Sequence, residues 1–274
     1  MWTRDDLREA LGSGVVGMIH LPALPGSPGW QGDLAAVETF TLAEAEALTA
    51  GGVRAIMVEN YHDVPFLPGR VGAETVAAMT RLVGAVGRHF PDVALGVNVL
   101  RNDVDSALGI AVATGARFVR VNVHSGAAVT DQGPITGRAW ETLRRRRELG
   151  ADRPAAYVAI LADVRVKHAR PLVARPLAEE AADLRLRGRA DAVIVTGAAT
   201  GAGTDPADLV TVREALPDCP LLVGSGADAA TAAMLRAHAD GCIVGTSLKE
   251  PGAPARVSAT RTREFLAAWQ AVGA

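Results

Sequence analysis

A chain of 274 residues that is 49% hydrophobic and 21% charged can bury a large core under an ordinary polar surface, which excludes disordered and fibrous classes. The formal net charge of -2 has no strongly basic stretch beyond Arg144 to Arg147, expected as the solvated face of a helix, so no nucleic-acid partner is expected. With no run of 18 uncharged apolar residues and no basic start leading into an apolar segment, a cytoplasmic protein without a membrane span or secretion signal is expected.

Short runs rich in Val and Ile alternate along the chain with longer Ala, Leu, Arg and Glu segments of helical period, the pattern of parallel strands joined by crossover helices. Strands are expected over 15–20, 53–59, 94–99, 118–124, 157–162, 192–196, 221–224 and 242–245. Helices are expected near 34–50, 73–89, 103–114, 137–149, 177–188, 207–215, 228–237 and 258–271, with Asp33, Asp103 and Asp228 at starts and Pro206 in a first turn. Eight units with no leftover domain-sized segment predict an α/β fold, a single (β/α)8 TIM barrel spanning 1–274 with its core at about 14–271. A doubly wound open sheet would use fewer strands and a glycine-rich turn after the first. That turn is missing here, so no NAD site is expected.

Active sites of such barrels gather at the C-terminal ends of the strands. His20 closes the first strand and is expected to bind substrate; the apolar, three-proline segment Leu21 to Trp30 then forms a pocket wall or a contact in a homo-oligomer. The second strand ends in Glu59 and Asn60, and the third contributes Asn98. An enclosed carboxylate such as Glu59 suits a general base.

In the fourth strand, alternation places Val119, Val121 and Val123 toward the helices and Arg120, Asn122 and His124 into the barrel, with Asn122 and His124 at the mouth. After the fifth strand, Asp163, Arg165 and Lys167 share parity if the extended conformation continues. Lys167 and Lys249 are the only lysines among the 28 basic side chains, which marks Lys167 for proton transfer or amine nucleophilicity, beside the alternative of a loop salt bridge. The catalytic candidates are Glu59, His124, Asp163 and Lys167; the substrate-binding candidates are His20, Asn60, Asn98 and Asn122.

The small, glycine-rich segment from Thr196 to Asp205 is expected to form a closing lid. Gly224, Ser225 and Gly226 follow the seventh strand and Gly245, Thr246 and Ser247 the eighth, the two loops where barrel enzymes commonly hold a phosphate. Glycines let the backbone approach the anion, and amides and hydroxyls donate to it. His62, His89 and His238 carry no motif, no HxH or HExxH pair exists, and Cys219 and Cys242 lack metal or disulfide spacing. A divalent cation such as Mg2+ on Glu59 and Asp163, aided by asparagine oxygens, stays open.

The segments beginning at His20 (HLPALPGSP), Val58 (VENYHDVPF), Gly96 (GVNVLRND), Ala162 (ADVRVKH) and Thr196 (TGAATG) together resemble the BtpA family, over about 15–271. The resemblance implies either the photosystem I biogenesis role for which some members are named or the phosphosugar context of SgcQ-like members; it supplies no catalytic residues. Residues and resemblance together lead to an enzyme acting on a phosphorylated sugar or nucleotide-like metabolite. The alternatives are a non-catalytic assembly factor and a metabolite-sensing binding protein.

Overall fold

The computed structural model describes residues 1–197, 203–251 and 256–271. Among them are eleven strands: β1 (Val15–His20), β2 (Ala55–Glu59), β3 (Ala94–Asn98), β4 (Phe118–Val121), β5 (Ala127–Thr130), β6 (Gly133–Thr136), β7 (Ala159–Arg165), β8 (Ala169–Pro171), β9 (Ala192–Val195), β10 (Leu221–Val223) and β11 (Gly241–Val244). The helices are α1 (Arg4–Leu11), α2 (Leu34–Ala50), α3 (Ala73–His89), α4 (Val104–Thr114), α5 (Ala139–Glu148), α6 (Leu177–Ala182), α7 (Pro206–Ala215), α8 (Ala232–Arg236) and α9 (Ala259–Gln270). Eight parallel strands close in the order β1-β2-β3-β4-β7-β9-β10-β11, as expected of a TIM barrel.

Buried on both faces, these strands read as nearly continuous apolar runs. Outward residues such as Ile19, Val58, Val97 and Val119 pack under the helices, while Met18, Met57, Phe118, Leu161 and Ile194 fill the barrel. Gly96 leaves room for the Phe118 ring: a Cβ there would stand 2.0 Å from Phe118 Cε2.

Several features depart from the sequence expectation. First, α1 precedes the barrel, capped by Thr3 and Asp6, and sends Leu7 and Leu11, joined by Trp2 just ahead of it, into the interior cluster, closing the N-terminal floor. Second, β5 pairs antiparallel with β6 and β8, so the loops after two neighbouring barrel strands are stitched into a small sheet on the rim. Third, β4 stops at Val121, short of His124. The arginine run also differs from a wholly solvated face, because Arg146 is buried and pairs with Asp191 at 2.6 Å.

Asp33 and Asp103 cap α2 and α4 as expected, and Pro206 begins α7. The stretch expected as a helix from 228 shortens to α8. In the apolar loop after β1, Leu21 and Leu24 are fully buried in the chain's own core, and Asp63 holds the Leu24 amide at 2.7 Å. Among the described residues no helix is long and apolar enough to cross a membrane.

Candidate functional site

In-register pairing of β1, β2 and β3 sets His20, Glu59 and Asn98 side by side at the C-terminal mouth. Glu59 is 4% exposed; its Oε2 accepts a hydrogen bond from Asn98 Nδ2, and its Oε1 lies 3.8 Å from His20 Nε2. The His20 ring stacks on Tyr61 with centroids 4.2 Å apart. Burial, reinforced by the nearby ammonium groups of Lys249 and Lys167, holds His20 well below the usual imidazole pKa. It is neutral near pH 7, so its contact with Glu59 is not an ion pair.

On the next strands Arg120 binds Asp163 through two hydrogen bonds, at 3.0 and 2.8 Å, and Asn122 Nδ2 donates to the same carboxylate at 2.9 Å. All three side chains are buried. This arrangement ties β4 to β7 and leaves Asn122 Oδ1 buried without a partner. Both Asp163 oxygens face nitrogen donors, and among the described residues no three acidic, His or Cys side chains form a metal-binding group.

Lys167 forms no ion pair or side-chain hydrogen bond among the described residues. Burial lowers its pKa, opposed by the Glu59 carboxylate.

Two adjoining cavities open at the mouth and share Glu59, Arg120 and Lys167. The first, about 220 Å³, is bounded by His20 and the loops 224–228 and 245–247. Ser247 Oγ donates to the Ala227 carbonyl at 2.6 Å, locking the two loops together, and Ser225 Oγ accepts from the Gly197 amide at 3.2 Å. Gly224 is needed for packing, since a Cβ would come 2.4 Å from Ile194, and at Gly245 a Cβ would press on the His20 ring at 3.0 Å. The φ of +71° at Gly226 favours glycine. The second cavity, about 310 Å³, adds Tyr61, His62, Phe66, Arg101 and Asn122.

Of the sequence candidates, His20, Glu59, Lys167, Asn122 and both glycine loops thus converge. Asn98 supports Glu59 from behind, and Asp163 supports Arg120. Asn60 is a structural clamp, donating to Asp63 and accepting from the Leu100 amide. His124 does not face the mouth: it is 1% exposed, lines neither cavity, and its Nε2 meets the Gly188 carbonyl at 2.8 Å. Because β4 ends at Val121, the alternation that would have aimed His124 inward no longer applies.

A register shift between Asp163 and Arg165 likewise turns Arg165 to Glu180 on α6. Residues 198–202 of the expected lid lie outside the described residues. Sequence reasoning missed Arg101, Tyr61, His62 and Lys249, whose Nζ stands 3.4 Å from His20 Nδ1. Lys249 carried a signal in the scarcity of lysine, and Tyr61, His62 and Arg101 lie within the segments that carry the family resemblance, which assigns them no role.

Similarity to known proteins agrees with this architecture. The chain is 47% identical over 251 residues to the Photosystem I biogenesis protein BtpA of Synechocystis sp., an alignment covering 89% of this chain and 85% of the relative. It is 41% identical to a protein of Pyrococcus horikoshii, with 87% and 88% covered. Among solved structures, KGPDC from Streptococcus mutans superimposes with a TM-score of 0.61 at 13% identity, covering 95% of this chain and 99% of that one. For 3-hexulose-6-phosphate synthase from Salmonella typhimurium the TM-score is 0.58 at 15% identity, with 94% and 99% covered. At such identities these structures establish the barrel alone. The BtpA family matches residues 12–271, and the chain belongs to that family.

Proposed function

We propose that this protein is an enzyme acting on a phosphorylated sugar or nucleotide-like metabolite by acid-base chemistry at the barrel mouth. The observation that carries this reading is that both glycine loops line one cavity with His20, Glu59 and Lys167. In it, backbone amides and the Thr246 hydroxyl receive the phosphate, as helix-start and loop amides do elsewhere. Glu59, held by Asn98, exchanges a proton with the substrate, and Lys167 supplies a second proton or an amine. Asp163 contributes by fixing Arg120; His124 has no part. Lyase, isomerase and glycosyl-transfer chemistry all use these tools.

The relative named for photosystem I biogenesis supports a second reading, that of an assembly factor. Calorimetric titration with inorganic phosphate and a panel of phosphosugars and nucleotides, with and without Mg2+, separates the two. Saturable binding that is weakened by Gly226→Val is expected, because a branched side chain disfavours the positive φ that shapes the loop. Absence of binding by every phosphorylated compound would overturn the enzyme reading in favour of the assembly role.

A further inference from the structure

The second cavity holds a cation that the protein itself does not neutralise. Arg101 is 4% exposed, yet none of the ion pairs among the described residues includes it. Its Nη2 donates to the Lys167 carbonyl at 2.7 Å, and its buried Nε has no partner. Asp163, Glu59 and Asp131 act on it only through space. Arg120 is matched by Asp163, so Glu59 is left to balance Arg101 and Lys167 together, and the shared region carries surplus positive charge. Burying a guanidinium without a carboxylate is costly, and an anion that docks on it removes that cost.

We infer that the substrate carries two anionic groups: a phosphate on the glycine loops and a second anion, carboxylate or phosphate, received by Arg101 and Lys167 in the adjoining cavity. This rests on the phosphate reading above and narrows it. The reacting centre of such a molecule would lie where the two cavities meet, beside Glu59 and Lys167, which line both. Arg101 is thereby a specificity-determining residue. The unpartnered Asn122 Oδ1 in the same cavity is suited to a hydroxyl donor of the substrate.

The test compares four probes on the full chain by calorimetry: inorganic phosphate, glucose 6-phosphate, 6-phosphogluconate and fructose 1,6-bisphosphate. The last two add a carboxylate or a second phosphate and so tell the two kinds of anion apart. At least one is expected to bind about tenfold or more tighter than glucose 6-phosphate, as a charge-assisted contact at a desolvated site allows. Arg101→Met should erase that gain while leaving glucose 6-phosphate affinity within about twofold, and Arg101→Lys, which keeps the charge but loses the planar fork, should retain part of it. If both two-anion probes bind no tighter than glucose 6-phosphate, or if both Arg101 variants weaken all probes equally, this inference falls and the phosphate reading stands. If none of the four binds, this inference falls, and the phosphate reading falls with it when the nucleotides of the wider panel fail as well.

Discussion

Lys249 Nζ lies 3.4 Å from His20 Nδ1, so the loop after the last barrel strand reaches back to the end of the first. An ammonium donates there, which makes Nδ1 the acceptor and leaves the ring proton on Nε2, the nitrogen facing Glu59. Burial first and Lys249 second hold His20 well below its ordinary value of 6.5. The unfolded chain therefore takes up a proton below that value while the folded chain does not, and stability falls as pH drops through it. The melting temperature is expected to decline from about pH 7.5 to about pH 5.5, and His20→Asn to decline less. His62, His124 and His168 are lowered too, so the slope shrinks without vanishing. Equal slopes in the two proteins would place the acid sensitivity elsewhere.

Glu59→Gln keeps a carbonyl oxygen for Asn98 but cannot exchange a proton. On a substrate found by the binding screen, kcat is expected to drop by about 10²- to 10⁴-fold with KM nearly unchanged. Turnover that survives would remove Glu59 from the chemistry.

Because the chain has only two lysines, covalent trapping can be mapped without ambiguity. If Lys167 acts as an amine toward a phosphorylated aldehyde or ketone, its nitrogen adds to the carbonyl carbon, water leaves, and borohydride reduces the imine to a stable secondary amine. Mass spectrometry should then find one adduct at Lys167, absent from Lys167→Arg and present in Lys249→Arg. Full activity without any adduct would assign Lys167 to proton transfer.

Gly96→Ala tests the packing inside the barrel. Its Cβ would meet the Phe118 ring at 2.0 Å in a filled interior, and overpacking of this kind costs about 1–3 kcal/mol. Thermal unfolding should shift down by roughly 2–4 °C per kcal/mol for a domain near this size. No shift would mean that Phe118 has room to move.

The barrel was legible because its eight strands are buried on both faces and leave compact Val- and Ile-rich runs. The rim sheet was not: β5, β6 and β8 have only three or four residues each, and their pairing joins loops from different units. α1 carried a visible cue, Thr3 and Asp6 at capping-box spacing, but too few apolar residues to stand out.

Within the site, position at a strand end located Glu59, and period-2 alternation placed Arg120 inside the barrel while the strand lasted. It failed at His124 and Arg165, where one strand had ended and the other shifted register. Arg101 was hidden for a different reason. In an arginine-rich chain, nothing local distinguishes a buried guanidinium that lacks a carboxylate from the many that pair on the surface.

With Trp2, Leu7 and Leu11 plugging the far end, the barrel is a cup with one opening and not a tube. Whatever reaches Glu59 through the two cavities must depart across the same rim. If a phosphorylated substrate sits on the glycine loops as proposed, it bars the next one, and turnover would then be bounded by how quickly that single doorway clears.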